Sequence, residues 1–332
     1  MSGLFDKAPG GGAAVQAASL AHVDTAIDVS IVIVSWNTEQ LLHVCLASIV
    51  QSVTATNYEI IVVDNGSSDA SVEMVAREFP DVRLLVNPRN TGFAAANNRG
   101  VYQALGRYFL LLNSDTVVLP GALEAMVRYM DAHPRVGALG PRLLLQDQSI
   151  QISAHDFPRL DHDAVVLLEV KHWPLIGDLA RRYAQRSFEP QHQETREVDW
   201  VIGACLLLRR EAVAQAGSLD EGYFFFFEEP DLCYRLRKRG WSTVYLSGAE
   251  IIHYGGQSRA RIPAVSELWY YRGLLRFYRL HATQVRYLAV RVGVIVGMVG
   301  HVVWSLGRLR SSDGQQRFTA YVRILACALK GV

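Results

Sequence analysis

The chain has 332 residues and half of them are hydrophobic, so it is long enough and apolar enough to bury a full core rather than remain disordered. Its formal net charge of +1 argues against bulk electrostatic binding of nucleic acid. The four cysteines lie far apart without a C-x-x-C pair, which disfavours a zinc site or a disulfide framework and favours free thiols in a reducing compartment.

Residues 1–28 are rich in glycine and alanine, and they lack the uninterrupted apolar run of a signal peptide. We therefore expect a flexible leader at this end of the chain. The remainder of the protein should then stay on the cytoplasmic side.

From residue 29 onward, strand and helix patterns alternate. The apolar runs VSIVIVS (29–35) and YEIIVV (58–63) are typical of strands buried on both faces, and TEQLLHVCLASIVQS (38–52) between them has helical spacing. The alternation continues through VRLLV, RYFLLL and PGALEAMVRYMDAH. It predicts an α/β fold with a doubly wound, mostly parallel sheet and helices on both faces.

Polar tripeptides close three of these strands: SWN at 35–37, DNG at 64–66 and NSD at 113–115. Any one of them is ordinary turn chemistry, because Asn, Asp, Ser and Gly favour turns. Ligands of such sheets bind beyond the carboxyl ends of the strands, where all three tripeptides would lie. Taken together they favour a binding site over three unrelated turns.

Residues 150–196 are less regular, polar and rich in His, Arg and aromatic residues. Long irregular segments are often functional, and an insertion on the acceptor side of a site is one interpretation. A mobile surface insertion is the other, and the sequence leaves both open.

The segment EEPDLCYRLRKRG predicts a helix with Pro230 in its first turn. Glu228 and Glu229 are expected just before its N-terminus, whose partial positive charge would keep a carboxylate ionised, as a general base requires. The alternative is that the two acids only complement the helix dipole. Further along, His253 ends the strand of EIIHYGGQS and is either structural or a metal ligand together with Asp115.

Seven segments in order, SIVIVSWN, VVDNGSSD, NPRNTGFAAANNRG, LLNSDT, GACLLLRR, FFFFEEPDLCYRLRKRG and IIHYGGQS, resemble those of family 2 glycosyltransferases. The set is most similar to the rhamnosyltransferase branch and covers residues 29–258. The resemblance implies a GT-A fold over residues 29–262 and an inverting transfer of a sugar from a nucleotide-diphosphate donor.

The resemblance also implies roles for individual residues. Asp64 would read the nucleotide base, and Arg89 would contact phosphate or base. The other residues expected to line the donor site are Ser35, Asn37, Asn65, Asn87, Asn90, Gly92, Asn97 and Ser114.

The family's metal-binding D-x-D motif is reduced here to Asn113-Ser114-Asp115. Asp115 would be the main anchor of Mg²⁺ or Mn²⁺, with Asn113 and His253 as further candidate ligands. The family's acidic pair matches Glu228 and Glu229, which makes Glu229 the general base. Asp231 would orient the acceptor.

Residues 263–332 combine hydrophobic, aromatic and basic residues at helical spacing. The stretch 288–306 would span about 28 Å as a helix, close to the core of a bilayer. Three interpretations of this stretch compete. In order of preference, they are association with a membrane surface, a transmembrane span and a soluble core helix. A peripheral or C-terminally anchored position on the cytoplasmic face of the cell membrane suits a glycan acceptor linked to polyprenyl diphosphate.

The leading hypothesis is a metal-dependent hexosyltransferase of cell-wall or polysaccharide synthesis that uses dTDP-L-rhamnose. A UDP- or GDP-sugar donor remains an alternative, as does a non-catalytic scaffold of the same fold, which the reduced D-x-D motif favours slightly. A nucleotidyltransferase on a similar sheet is disfavoured, because SWNTEQ follows the first strand in place of a Gly-rich loop. A homo-oligomer is left open.

Overall fold

A computed structural model describes residues 26–159, 192–255, 263–307 and 309–331. Most of the predicted flexible leader (1–28) and residues 160–191 of the predicted insertion lie outside the described residues.

One mixed sheet organises the described chain, in the order β3-β2-β1-β4-β11-β6-β12-β5, with β7 added beside β6 and β9 beside β12. Two further short strands, β8 and β10, pair with each other. The strands are β1 (Val29–Ser35), β2 (Tyr58–Asp64), β3 (Arg83–Val86), β4 (Tyr108–Asn113), β5 (Thr116–Val118), β6 (Val136–Leu144), β7 (Ile150–Gln151), β8 (Ala154–His155), β9 (Arg196–Val198), β10 (Trp200–Val201), β11 (Cys205–Arg209) and β12 (Ser242–His253).

Helices cover both faces of this sheet, as the sequence predicts. They are α1 (Glu39–Ser52), α2 (Ser71–Glu78), α3 (Phe93–Val101), α4 (Ala122–Ala132), α5 (Arg210–Ala216), α6 (Glu228–Lys238), α7 (Pro263–His281), α8 (Gln284–Leu306) and α9 (Ser312–Lys330). In β1, Ile31 and Ile33 belong to the apolar cluster that includes α1 and α4, and Val32 belongs to the cluster with α3, α5 and α6. Alternate side chains of a strand point to opposite faces, so β1 is buried on both sides.

Strands β3, β2, β1 and β4 run parallel, which confirms the predicted arrangement in this half of the sheet. In their register Ser35 lies opposite Asp64, and Val34 lies opposite Asn113. Strand β11 runs antiparallel to β4 and to β6, so the other half is mixed. A buried apolar run looks alike in either direction, and the sequence therefore did not reveal this reversal.

Helices α7, α8 and α9 form the predicted helical extension, and α7 packs directly on the segment before α6. A Cβ at Gly273 of α7 would lie only 2.9 Å from the carbonyl oxygen of Phe226. The rings of Phe227 and Tyr270 lie 5.3 Å apart. These contacts place α7 in one apolar cluster with Tyr223 and Phe227, so the extension shares a core with the sheet domain.

A buried ion cluster joins α7 to α6. The carboxylate of Asp231 in α6 accepts from His281 Nε2 at 2.6 Å through one oxygen and from Arg235 Nε at 2.8 Å through the other. Although burial alone would raise it, these partners hold the pKa of Asp231 below its ordinary value. Both oxygens thus have partners within the protein, and the role of Asp231 in orienting the acceptor stays a prediction.

We expect Asp231→Asn to lower the free energy of unfolding at pH 7 by roughly 3–5 kcal/mol, because it removes the buried carboxylate that pairs with Arg235 and contacts His281. The matched control is Glu250→Gln in the more exposed pair with Arg142, which should cost about 1 kcal/mol or less. Urea denaturation measures the free energy of unfolding of both variants. Equal decreases in the two variants would refute the larger contribution that we assign to the Asp231 cluster. A depressed carboxyl pKa adds stability above the unfolded value, so the difference should fade on acidification.

Candidate functional site

The polar ends of β1, β2 and β4 meet at one edge of the sheet, as their register requires. The Ser35 hydroxyl lies 2.9 Å from the hydroxyl of Thr38, which lies 2.9 Å from that of Ser114. This chain of hydroxyls ties the first and fourth strand ends together. Thr38 was not among the predicted residues, and the sequence contains no sign of this contact between distant segments.

Asp64 offers one satisfied and one unsatisfied carboxylate oxygen. Its Oδ2 accepts the backbone N–H groups of Gly66 and Ser67 at 3.2 and 3.0 Å. Its Oδ1 is buried and has no hydrogen-bond partner among the described residues. A buried acceptor of this kind requires a donor, and a ligand N–H would supply it. This geometry fits the predicted base-reading residue.

Several of the predicted donor-site amides hold the loop together. Asn65 Oδ1 accepts from Asn87 Nδ2 at 2.9 Å and from the backbone N–H of Thr91 at 3.0 Å, and its Nδ2 donates to Asn90 Oδ1 at 3.0 Å. These side chains therefore shape the rim. Arg89 lies on the same loop and is exposed.

Two further residues that were predicted to line the donor site, Asn37 and Asn97, also form hydrogen bonds with backbone groups. Asn37 adopts a left-handed conformation (φ 55°), and its side-chain oxygen accepts from the backbone N–H of Ser68 at 2.7 Å. Asn97 is buried within α3 and donates to the Phe93 carbonyl at 3.0 Å.

Gly92 brings the loop close to the aromatic segment FFFF (224–227). Its φ is +90°, and an added Cβ would lie 2.6 Å from the Phe224 carbonyl oxygen. The next backbone N–H, of Phe93, donates to that same oxygen at 2.7 Å. Only glycine fits such a close approach at positive φ. The contact joins the donor-side loop to the segment that carries Glu228 and Glu229.

Asp115 and His253 form a carboxylate–imidazole pair. Strands β5 and β12 pair with Thr116 opposite His253, which places His253 Nε2 3.3 Å from Asp115 Oδ1. His253 Nδ1 lies 2.8 Å from Oε1 of Gln151. An amide oxygen only accepts, so Nδ1 donates in this contact and Nε2 faces the carboxylate. Nε2 of His253 and Oδ1 of Asp115 both carry lone pairs, so a cation between them is needed: either a proton on the ring or a metal ion.

The donor set fits a divalent metal that keeps its remaining positions for oxygen ligands such as phosphate. Among the described residues, no group of three or more His, Cys, Asp or Glu side chains is placed to hold a metal. Asp115 and His253 would therefore offer two ligands, with Gln151 in contact with the imidazole of His253. Gln151 lies in β7, inside the segment that the sequence left undecided, and no motif signalled it.

Asn113 contributes to this edge of the sheet through backbone hydrogen bonds. Its N–H donates to the Ala204 carbonyl at 2.9 Å, and its carbonyl accepts from the Thr116 hydroxyl at 2.8 Å. These bonds hold the start of β11 against the end of β4. The side chain of Asn113 is partly exposed, so its proposed metal contact stays a prediction.

Gly203 positions the carboxylate of Glu229 beside that junction. The Gly203 N–H donates to Glu229 Oε1 at 2.8 Å, and a Cβ on Gly203 would overlap the same oxygen. Because the carbonyl of the neighbouring Ala204 accepts from the Asn113 N–H, Glu229 is held at the edge of the sheet where Asp115 and His253 lie. Gly203 was missed by sequence reasoning, although it lies in the quoted segment GACLLLRR.

Glu228 and Glu229 lie within the first turn of α6 rather than before it. Burial raises the pKa of the half-buried Glu229, and burial followed by the charge of Glu229 raises the pKa of the buried Glu228 well above its ordinary value. The helix N-terminus was expected to keep a carboxylate ionised, whereas the pKa of each acid is raised, because desolvation outweighs the helix field here. Oε2 of Glu228 has no hydrogen-bond partner among the described residues.

The backbone immediately before these acids is strained. Phe226 and Phe227 have φ values of 72° and 73°, a region that non-glycine residues rarely occupy. The packing of α7 against both residues stabilises this conformation. Strain of this kind accumulates at functional sites, where surrounding structure over-determines the backbone.

Among solved structures, GalNAc-T7 with UDP, GalNAc and Mn²⁺ is similar to this chain with a TM-score of 0.51. The similarity covers 77% of this chain and 50% of that one, at 16% sequence identity. At this identity it shows the fold alone, and it confirms the predicted GT-A type of architecture.

Two curated relatives are rhamnosyltransferases. The N-acetylglucosaminyl-diphospho-decaprenol L-rhamnosyltransferase of Mycobacterium tuberculosis is 35% identical over 217 residues, which are 62% of this chain and 69% of the relative. Rhamnosyltransferase WbbL of Escherichia coli K12 is 23% identical over 261 residues, 75% of this chain and 92% of the relative.

The sequence model of the family described as Glycosyl transferase family 2 matches residues 30–217. This match extends from the first strand to the glycine that ends α5, so it includes the donor-side loops and Gly203. The chain therefore belongs to glycosyl transferase family 2 and is a sugar transferase of the rhamnosyltransferase branch.

Proposed function

We propose that this protein transfers L-rhamnose from dTDP-L-rhamnose, with inversion, to a hydroxyl of a lipid-linked glycan in cell-wall or polysaccharide synthesis. The observation that carries the proposal is the placement of Glu229, which Gly203 holds at the same edge of the sheet as Asp115 and His253. The mycobacterial relative, named as an L-rhamnosyltransferase acting on a decaprenol-linked diphospho-sugar, supports both the sugar and the lipid-linked acceptor.

The donor lies along the ends of β1, β2 and β4 in this proposal. The unpartnered Oδ1 of Asp64 would accept the ring N–H of the base. Asp115 and His253 would hold Mg²⁺ or Mn²⁺, and a divalent ion there offsets the charge that develops on the departing diphosphate.

Glu229 takes the proton of the acceptor hydroxyl as that oxygen attacks the anomeric carbon. Its Oε1 is held by the Gly203 N–H, which leaves Oε2 for the proton. The raised pKa makes the ionised carboxylate a stronger base than an exposed glutamate. Attack from the face opposite the leaving diphosphate inverts the anomeric centre, and no covalent intermediate with the protein forms.

Calorimetric titration with dTDP, UDP and GDP, with and without Mn²⁺, tests the donor site. We expect dTDP to bind most tightly and only with the metal. Asp115→Asn should remove the effect of Mn²⁺, and Gln151→Ala should weaken binding with Mn²⁺ by about tenfold, because it frees the imidazole of His253. Asp147→Asn, in an exposed turn, is the control and should bind as the wild type.

Tighter binding of UDP or GDP would replace the dTDP assignment by that donor class. If the folded protein bound none of the three nucleotides, the donor site would be wrong and the scaffold hypothesis would take its place.

The pH dependence of kcat/KM tests the base. The ionised form of Glu229 is the active one, so activity is present above its pKa and falls as the pH drops through it. Because burial raises that pKa, the acid limb should have its midpoint above the ordinary glutamate value of about 4.3. A profile that stays flat down to that value, in protein shown to be folded, would exclude Glu229 as the base.

Gly203→Ala tests the positioning of that base. The added methyl displaces the Glu229 carboxylate, so kcat should fall by about 10²-fold or more, towards the level of Glu229→Gln, while nucleotide affinity stays unchanged. The matched control is Gly248→Ala, because a Cβ at Gly248 meets nothing within 4 Å. Wild-type kcat in Gly203→Ala would contradict the assigned contact, and wild-type kcat in Glu229→Gln would contradict the proposed base.

A further inference from the structure

The charge of the chain is divided unevenly along its length. Residues 263–332 contain ten Lys and Arg and two Asp and Glu, a net charge of +8. The whole chain has a net charge of +1, so residues 1–262 carry −7. The helices α7 to α9 therefore form a basic region on an otherwise acidic protein.

Helix α8 in this basic region exposes a continuous apolar stripe. Six members recur at intervals of three or four residues, which places them on one side of the helix. They are Val285, Leu288, Val292, Val296, Val299 and Val303, each between 43% and 77% exposed. Scattered single apolar residues are normal on a protein surface, whereas a stripe of this length indicates an interaction site.

The opposite side of α8 is bound to the protein. Tyr287, Val290, Val294 and Met298 are buried in the apolar cluster that includes α7 and α9. Arg291 donates to the carbonyl oxygens of the last turn of α9, at 2.6 Å each. Farther along, the ring of His301 stacks on that of Tyr321 at 4.8 Å.

These contacts distinguish between a membrane-surface helix, a transmembrane span and a soluble core helix, which length and composition leave open. Helix α8 has 23 residues and is long and apolar enough to cross a membrane, but a span would have to expose its bound side to lipid. That would break the Arg291 contacts or draw α9 into the hydrocarbon. Helix α9 exposes Arg323 and Lys330, and burying these charges in the hydrocarbon core of a membrane would cost free energy. A soluble core helix would bury the stripe, which is exposed.

We propose that α8 lies in the plane of an anionic lipid surface. Its apolar stripe would enter the lipid, and the basic region would contact the headgroups. An apolar face flanked by basic side chains is the pattern of an interfacial helix. A second copy of the chain is the less favoured occupant, because stripe-to-stripe pairing would bring two regions of +8 together. Lipids with negative headgroups match that charge instead.

This position deepens the proposed function and rests on it for the acceptor alone. Helix α7 contacts the basic helices on one side and the strained segment before Glu229 on the other, through Gly273 and Tyr270. Helix α7 thereby links the segment that carries Glu229 to the helices at the proposed lipid surface. A sugar acceptor carried on a lipid diphosphate would meet Glu229 without leaving the membrane.

Co-sedimentation of the full chain with vesicles is the first test. We expect binding to vesicles of phosphatidylcholine with phosphatidylglycerol, weaker binding at high salt, and little binding to phosphatidylcholine alone. Val296→Glu should reduce binding by about tenfold or more. The matched control is Val50→Glu on α1, since Val50 and Val296 are equally exposed at 56%, and it should bind as the wild type.

Labelling of two positions at the ends of α8 then distinguishes an in-plane helix from a span. In a Cys327→Ser background, Gln284→Cys and Gly307→Cys should both react with an impermeant maleimide in inverted cell-membrane vesicles. Neither should react in right-side-out vesicles. Reaction of the two positions from opposite sides would overturn the in-plane proposal in favour of a span.

Two other results would also overturn the proposal. One is a failure of the wild-type protein to bind anionic vesicles while it still transfers sugar to a soluble acceptor, which leaves the proposed function intact. The other is a dimer in sedimentation velocity that Val296→Glu dissociates, together with absent vesicle binding. Loss of transfer on every acceptor, with vesicle binding retained, would instead count against the proposed function alone.

Discussion

The parallel register of β1 with β2 and β4 is the constraint on which the rest of the site depends. It places the end of β1 between Asp64 at the end of β2 and the end of β4, so three polar strand ends share one edge. The antiparallel strands complete this edge from the other half of the sheet. Strand β12 returns His253 to Asp115, and β11 begins at the glycine-containing turn that holds Glu229. One sheet thereby gathers side chains that lie far apart in the chain.

Burial of carboxyl groups is the physical cost of this arrangement. Desolvation raises the pKa of Glu228 and Glu229, and one oxygen of Asp64 lacks a partner among the described residues. Such features lower stability, and they are useful only where a ligand or a proton completes them. Asp231 shows the contrast, because Arg235 and His281 contact its two oxygens and its pKa lies below the ordinary value. Acids in the first turn of one helix thus differ in environment: burial dominates for Glu228 and Glu229, and hydrogen-bonded partners dominate for Asp231.

Helix α7 connects the two functional parts of the molecule. Its aromatic and glycine contacts stabilise the left-handed residues before Glu228, and its last turn provides His281 to the buried cluster of Asp231. On its other side it shares a core with α8 and α9. The helical extension is therefore part of the transferase in a physical sense. Packed side chains thus connect the proposed lipid-facing helix with the segment before Glu229.

The sequence by itself determined the alternation of strands and helices, the polar strand ends and the family. Local periodicity and ordered motifs carry that information, since each depends on residues close together in the chain. Only the tertiary structure decided that β11 runs antiparallel, that Gln151 supports His253, that Gly203 holds Glu229 and that Asp231 binds His281. It also decided which side of α8 is exposed. These are contacts between distant segments, and a single sequence does not state which distant residues meet.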